Sequence, residues 1–365
     1  MKAVQISKTG GPEVLEIKEI TLDKPGADEV TIEHKAIGLN YIDTYHRSGL
    51  YPLKLPSGIG VEAAGIIKEI GSDVKEFSVG DKISYSGAPL GAYSTHRNYP
   101  TKNLVKVPNN IDLEIAATLM TKGLTTFYLL HKTYPVKTGQ TILFHAAAGG
   151  VGQIFGQWAK SLGCKIIGTV GSDEKIDKAK SYGYDHVINY NKENFSDKVL
   201  EITNGKGLPV VYDGVGKNTF EDSLKCLTTR GMMVSFGNAS GALSPIDVPK
   251  LLQPKGLYFV RPSMQQYLNT VEEIKQWTDI VYDSKVIEPK DKEFIRIAID
   301  LMPDEPWDDD TWDKWTSAIK EKTNRKGKEL FLPLREAFTG VSQGPEMKKL
   351  IQLIGRSKII ERVKL

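Results

Sequence analysis

The chain has 365 residues, 40% hydrophobic and 25% charged, which is enough for about two or three domains whose cores need no disulfide or metal. Formal net charge is only +3, with basic residues interspersed among acids, which excludes the concentrated basic field of a general nucleic-acid binder. Two cysteines, Cys164 and Cys226, exclude a disulfide scaffold or a thiolate zinc cluster; with no leader-like head and no apolar run of about 20 residues, a reducing, cytoplasmic location is expected.

The first 125 residues predict a succession of short strands: KAVQIS, VLEIKEI, EVTIEHKAIGL, EAAGIIKEIG and GDKISYS, with glycines between them. Such spacing points to a mainly β lobe over residues 1–125. After His131 the pattern changes to strict alternation. TILFHAAA, KIIGTVG, HVINY, PVVYDGVG and MMVSFGNASG predict strands, and VGQIFGQWAKSLG, DEKIDKAKSYG, NFSDKVLEITNG and NTFEDSLKCLTTRG predict the helices between them. This alternation predicts an α/β, doubly wound parallel sheet over residues 126–269. From 270 to 365 only helical patterns follow: TVEEIKQWTDIVYD, KEFIRIAIDLM, DDTWDKWTSAIKEKT and EMKKLIQLIG, separated by Pro303, Pro306 and Gly344–Pro345. Asp309 or Asp310 is placed to cap the helix carrying Trp312 and Trp315, and the segment is expected to be an all-helical module.

The strongest site signal is AAAGGVG at 146–152, between a predicted strand and helix. Ala148, Gly149, Gly150, Val151 and Gly152 are the candidate cradle for a dinucleotide pyrophosphate. Small residues let the backbone approach the phosphates, and amides at a helix start receive their charge. Ala147 stands where the G-x-G-x-x-G pattern has its first glycine, and a close-packed structural turn is the alternative. The next strand runs into TVGSDEK, with Gly171 where an NAD-binding unit carries an acid for the ribose hydroxyls. Without that acid a 2′-phosphate is not repelled, Lys175 supplies charge and Ser172 a hydrogen bond, so NADPH is favoured over NADH. Asp173 argues the other way, and simple helix capping by Ser172 and Asp173 is the competing reading. Tyr190 is placed to flank the adenine, and Phe236, Gly237, Asn238 and Ser240 lie at a later strand end, the edge where open α/β sheets bind ligands.

Residues 1–269 resemble the zinc-free quinone oxidoreductases of the medium-chain dehydrogenase/reductase superfamily, the group that includes zeta-crystallin. The resemblance is carried by GGPEVL (10–15), KAIGLNYIDTYHRSGLYP (35–52), LPSGIGVEAAGII (55–67), KGLTTFYLL (122–130), LFHAAAGGVG (143–152), VVYDGVG (210–216), MVSFGNASG (233–241) and RPS (261–263). It implies a GroES-like mainly β lobe, a Rossmann domain, a homodimer and NADPH-dependent reduction of a small quinone or enone. Zinc-dependent relatives have a cysteine where Asn40 stands and Gly-His-Glu where Gly60–Val61–Glu62 stands. A tetrahedral zinc site needs about four donors, so no metal is expected. By the same resemblance Asn40, Tyr45 and Tyr51 line the acceptor side and Thr126 lies near the nicotinamide; amide and phenol donors suit a developing oxyanion. Packing of Tyr51 against Pro52 and backbone satisfaction by Asn40 are the alternatives. Asp43 is read as a supporting acceptor, and His46 and His145 as structural.

The family returns to the β lobe after its nucleotide domain, and that ending is not recognisable here. Instead WTDIVYD (277–283), MPDEPWDDDTWDKWTSAIKE (302–321), NRKGKELFLPLREAFTG (324–340) and GPEMKKLIQLIGRSKIIERV (344–363) resemble the anticodon-binding region of bacterial glutamyl-tRNA synthetases. A gene fusion accounts for both resemblances. In a synthetase this region recognises tRNA, and Arg325, Lys326, Lys328 and Arg335 are the candidate backbone contacts. No adenylate-forming module precedes it, so aminoacylation is not expected. A helical appendage whose Trp277, Trp307, Trp312 and Trp315 serve as core or interface residues is the competing account.

Overall fold

The first third of the chain forms eight strands: β1 (Lys2–Ile6), β2 (Glu16–Glu19), β3 (Glu29–Gly38), β4 (Ser57–Gly58), β5 (Glu62–Ile70), β6 (Lys82–Ser86), β7 (His96–Pro100) and β8 (Leu104–Lys106). The computed structural model describes residues 1–109, 111–267, 287–304, 307–308, 310–340, 347–348, 351 and 356–365. They form two compact units, Met1–Thr278 and Asp279–Leu365. In the first, the strands make two antiparallel sheets ordered β2-β1-β4 and β7-β3-β5-β6-β8. Val30, Ile32, Ala63, Ile67, Ile83, Tyr85 and Tyr99 form the core beneath the larger sheet. Gly65 permits the tight β3–β5 pairing, because a Cβ there would stand 2.2 Å from the Glu33 carbonyl oxygen.

Two helices join this β lobe, α1 (Tyr41–Ser48) and α2 (Leu113–Tyr128). Helix α1 is short and mostly polar; it buries only Asp43 and Tyr45 and ends at Gly49, whose φ is 84°. Its start is fixed by the Asp43 carboxylate, which accepts from the Asn40 amide N–H at 2.9 Å. Helix α2 continues past residue 125 into a π-helical turn at Leu129–Thr133.

The alternating region builds β9 (Thr141–Phe144), α3 (Gly150–Ser161), β10 (Lys165–Val170), α4 (Ile176–Ser181), β11 (His186–Asn189), α5 (Phe195–Ile202), β12 (Leu208–Asp213), α6 (Phe220–Cys226), β13 (Leu227–Ser235), α7 (Val248–Leu251), β14 (Tyr258–Val260) and α8 (Met264–Tyr267). The sheet order is β11-β10-β9-β12-β13-β14, and every pair is parallel. Successive residues point to opposite faces. Thus Phe144 and Tyr212 enter one core with Phe155, while Leu143 and Val211 enter the other with Met233. Two sequence boundaries shift. Strand β9 stops at Phe144 because Ala146 takes a positive φ of 59°, and Thr228–Thr229–Arg230, read as helix, already belong to β13, as β-branched residues favour.

His145 is fully buried between β10 and α6, its Nδ1 2.7 Å from Thr169 Oγ1 and its Nε2 2.8 Å from Ser223 Oγ. Ser223 donates its hydroxyl to the Thr219 carbonyl, so Nε2 is the donor to Ser223; burial holds the ring's pKa down.

In the second unit the described helices are α9 (Lys292–Asp300), α10 (Thr311–Thr323), α11 (Lys328–Thr339) and α12 (Arg356–Arg362). They share a core of Phe294, Trp312, Trp315, Ile319, Leu334 and Phe338. Trp315 is 1% exposed, stacks on Phe338 at 5.4 Å and donates its indole N–H to the Ala298 carbonyl at 2.8 Å. Asp310 occupies the N-cap position of α10 but makes no capping bond. Asp308 and Thr311 close that end instead, by reciprocal bonds of 2.8 and 2.7 Å. Arg325 is committed to Asp291 at 2.7 Å and lies over the Phe294 ring, while Lys326 and Lys328 are exposed and Arg335 is half-buried. Trp277, Asp309, the helix expected at 270–283 and Gly344–Pro345–Glu346 lie outside the described residues. Replacing Leu334, fully buried in this core, by alanine is expected to cost about 2–5 kcal/mol, read as an earlier denaturation midpoint followed by tryptophan fluorescence.

Candidate active site

The turn from β9 into α3 leaves the helix start open. Gly149 is its N-cap, no side chain bonds the first-turn amides, and no acid lies in the first turn. Unpaired N–H groups and the positive end of the helix dipole therefore face the same space. Gly152 fixes how closely α3 approaches β9, since a Cβ there would stand 2.4 Å from the Ala147 carbonyl oxygen. At Gly150 a Cβ would meet the Lys122 side chain at 2.8 Å. Ala148 and Val151 are half-buried at the same turn.

At the end of β10, Gly171 provides the open floor beside Tyr190, whose hydroxyl lies 3.0 Å from the position of a Gly171 Cβ. Ser172 donates to Glu174 at 3.1 Å, and Lys175 is exposed. Asp173 is engaged by the Asn189 amide at 2.6 Å and by the Lys192 ammonium. Lys192 and Asn189 hold its carboxyl below the usual range, so it stays ionised with a lysine beside it.

Phe236 and Gly237 follow β13, where both amides donate to the Asp213 carbonyl, at 2.8 and 3.3 Å. The Asp213 carboxylate accepts from Val215 N, Gly216 N and Thr219 Oγ1. Asp213 therefore ties together the loops after β12 and β13. Ser240 links them again, accepting from Asn218 N and donating to the Val215 carbonyl.

The β lobe presents α1 and its flanks to this edge. Tyr45 Oη accepts from the Asn238 amide at 2.9 Å, and Tyr41 Oη donates to the Ala239 carbonyl at 3.2 Å. Tyr51 Oη accepts from Arg261 Nη2 at 3.0 Å, and the Tyr45 and Tyr51 rings lie 5.1 Å apart. Burial, chiefly, pushes the Tyr45 phenol up to about 12, so it is protonated at neutral pH. Asn40 Nδ2 donates to Glu62 Oε2 at 2.6 Å. Glu62 is fully buried, accepts from Thr121 N at 2.8 Å and lies 3.6 Å from Lys122 Nζ. Burial pushes its carboxyl up against the opposing pull of Lys122.

Asp43 accepts from Asn40 N and from Tyr93 Oη at 2.8 Å, which is the supporting task expected of it, and burial raises its pKa. His46 packs edge-on against Tyr51. Thr126 is fully buried and its hydroxyl donates to the Lys122 carbonyl at 3.0 Å. The structure thus brings Tyr45 and Tyr51 to the Phe236–Ser240 rim and sets Asn40 on the Glu62–Lys122 pair, while Thr126 turns its hydroxyl into its own helix. Sequence reasoning gave no role to Arg261, Glu62, Lys122 or Asp213. A charged residue ending a strand otherwise made of apolar residues, as in VVYDG and YFVRP, is the signal that was present.

Residues 26–109 match the alcohol dehydrogenase GroES-like domain family and residues 150–281 the zinc-binding dehydrogenase family, while residues 248–365 match the anticodon binding domain family. The quinone oxidoreductase of Pseudomonas aeruginosa is 50% identical over 282 residues, covering 77% of this chain and 87% of that protein. The crystal structure of Escherichia coli quinone oxidoreductase complexed with NADPH aligns with a TM-score of 0.76 and 48% identity, over 77% of this chain and 86% of that one. A 2-haloacrylate reductase from Burkholderia is 43% identical over 289 residues, covering 77% of this chain and 87% of that protein. With a GroES-like lobe joined to a Rossmann sheet and these relatives matched over most of their length, the chain belongs to the quinone oxidoreductase family of the medium-chain dehydrogenase/reductase superfamily.

Proposed function

We propose that the chain reduces quinones with NADPH by hydride transfer and without zinc. The observation that carries this reading is the pair of phenols, Tyr45 and Tyr51, hydrogen-bonded through Asn238 and Arg261 to the edge of the nucleotide sheet. Both phenol oxygens act as acceptors in these bonds, so each hydroxyl hydrogen remains for an acceptor oxygen.

The residues fit a dinucleotide. The uncapped, acid-free start of α3 receives the pyrophosphate. Ser172, Lys175 and Tyr190 surround the adenosine end, where Lys192 already offsets Asp173, which favours a 2′-phosphate. Phe236, Gly237 and Ser240 supply the opposite rim. The resemblance puts Thr126 near the nicotinamide, where its buried side chain would pack rather than donate. When bound, NADPH supplies the hydride, and with one proton the quinone becomes a hydroquinone. Tyr45, Tyr51 and Asn40 orient the acceptor and bond the oxygen on which negative charge develops. At this side the donors are an amide and two phenols rather than thiolate and imidazole, which is the chemical reason the proposal uses no zinc.

An enone is the second acceptor class, favoured by the 2-haloacrylate reductase relative, because the same donors suit an enolate oxygen. As in the family, a homodimer is proposed. A gene fusion is proposed as the origin of the C-terminal unit, which is taken to be a folded appendage because its tryptophans at 312 and 315 are spent on its own core; tRNA is the partner to test against that assignment.

Initial rates with a panel of ortho- and para-quinones and enones, using NADPH and NADH in parallel, test the reading; acceptor-dependent oxidation preferring NADPH is expected, and cofactor binding without turnover sinks it. Lys175→Glu is expected to cut the preference for NADPH about tenfold or more, through loss of a charge-assisted contact, while NADH turnover changes little. Tyr51→Phe is expected to lower kcat about a hundredfold, the usual scale for removing one oxyanion donor, with cofactor affinity within about twofold of the parent.

A further inference from the structure

We propose that Arg261 is a positioning residue for acceptor reduction: its guanidinium grips the carbonyl edge of the nucleotide sheet and, from there, polarises and aims the Tyr51 hydroxyl. The inference rests on the reductase reading above and deepens it.

Arg261 directly follows β14, the last strand of the sheet, so its side chain starts at the ligand edge. Nη1 donates to Ser235 O at 3.0 Å, Ser235 Oγ at 3.0 Å and Gly237 O at 2.8 Å. Nη2 donates to Tyr51 Oη at 3.0 Å and, with the Asn238 amide in its satisfied orientation, to that side-chain oxygen at 3.0 Å. The hydrogens of both terminal nitrogens are therefore committed, and the planar fork is held from two sides. A lysine offers one point charge and cannot span these acceptors.

Direction decides the chemistry. A guanidinium only donates, so Tyr51 is the acceptor in this bond and keeps its own hydrogen. No acceptor for that hydrogen occurs among the described residues. Tyr45 receives its bond from a neutral backbone amide, whereas Tyr51 receives one from a cation. A cationic donor draws density from the phenol oxygen and strengthens the next bond in the chain. Among the described residues no carboxylate pairs with Arg261, so its charge is not cancelled locally. As charge builds on the acceptor oxygen, Tyr51 donates to it and Arg261 supports Tyr51 from behind. The rim that Arg261 grips is also the rim assigned to the cofactor, which fixes Tyr51 relative to that side.

A double-mutant cycle of Tyr51→Phe, Arg261→Gln and the pair tests the coupling. Its first readout is kcat for a quinone with NADPH. Its second requires no turnover: equilibrium binding of a graded series of substituted phenolates to the NADP⁺-loaded protein, with NADP⁺ affinity measured alongside. Each single change is expected to weaken phenolate binding about tenfold, and the double change to be no weaker than the worse single. Arg261→Lys, which keeps the charge, is expected to recover part of the loss and guards against misfolding of the glutamine variant. Additive losses, near a hundredfold for the pair, overturn the inference, and if the parent still reduces quinones the reductase reading stands. Coupled phenolate binding in a parent protein without turnover supports the Arg261–Tyr51 pair and overturns the reductase reading. A parent that binds no phenolate overturns the inference.

Discussion

The bonds by which Arg261 and the Asn238 amide hold two phenols of the β lobe set the geometry on which the candidate site depends. The two lobes are built on different core clusters, and α2 runs between them, with Ala116 and Ala117 in the first and Tyr128 in the second. What registers α1 against the end of the parallel sheet is this small set of polar contacts, with Tyr41 and the Ala239 carbonyl beside them. Contacts of this kind are directional, so they fix orientation as well as distance. On the sheet side they are anchored by Asp213, whose carbonyl and carboxylate together tie down the loops after β12 and β13.

A second constraint lies beneath the acceptor side, where Glu62 and Asp43 are buried carboxylates. Each is made tolerable by donors that also define the site: Asn40 and Thr121 on Glu62, and Tyr93 and the Asn40 backbone on Asp43. The single cation close to Glu62 among the described residues is Lys122, whose stem also lies against Gly150. A buried charge left without its partner is costly, so this arrangement rigidifies Asn40 from behind. These two buried carboxylates thus lie next to the proposed acceptor site, where a fixed donor is worth most.

The family matches overlap over residues 248–281, a stretch whose described part forms α7, β14 and α8 of the first unit. The dehydrogenase architecture therefore runs through Arg261 before the helical unit begins. That unit is stabilised from within, by Trp315 against Phe338 and by the indole bond to Ala298. Trp312 and Trp315 are accordingly core residues, and Arg325, a candidate contact by resemblance, is paired with Asp291.

By itself the sequence determined the parallel sheet, the β lobe and the position of the glycine-rich turn, because short strands set off by turn residues, strand–helix alternation and glycine chemistry are local properties. It also supplied the family through its motifs, and with it Asn40, Tyr45 and Tyr51 as candidates. It missed α1 as a helix, since its eight residues are mostly polar and bury only two side chains, and it placed Thr228–Arg230 in the preceding helix, where the chain instead enters β13 through a register shift against β12, with Arg230 at a φ of 61°. Only the tertiary structure decided which polar atoms meet: Arg261 and Tyr51 are 210 residues apart, and Asn238 and Tyr45 are 193 apart. Sequence spacing is silent at such distances, because the partner of a polar group is chosen by where two sheets end in space, not by what lies beside it in the chain.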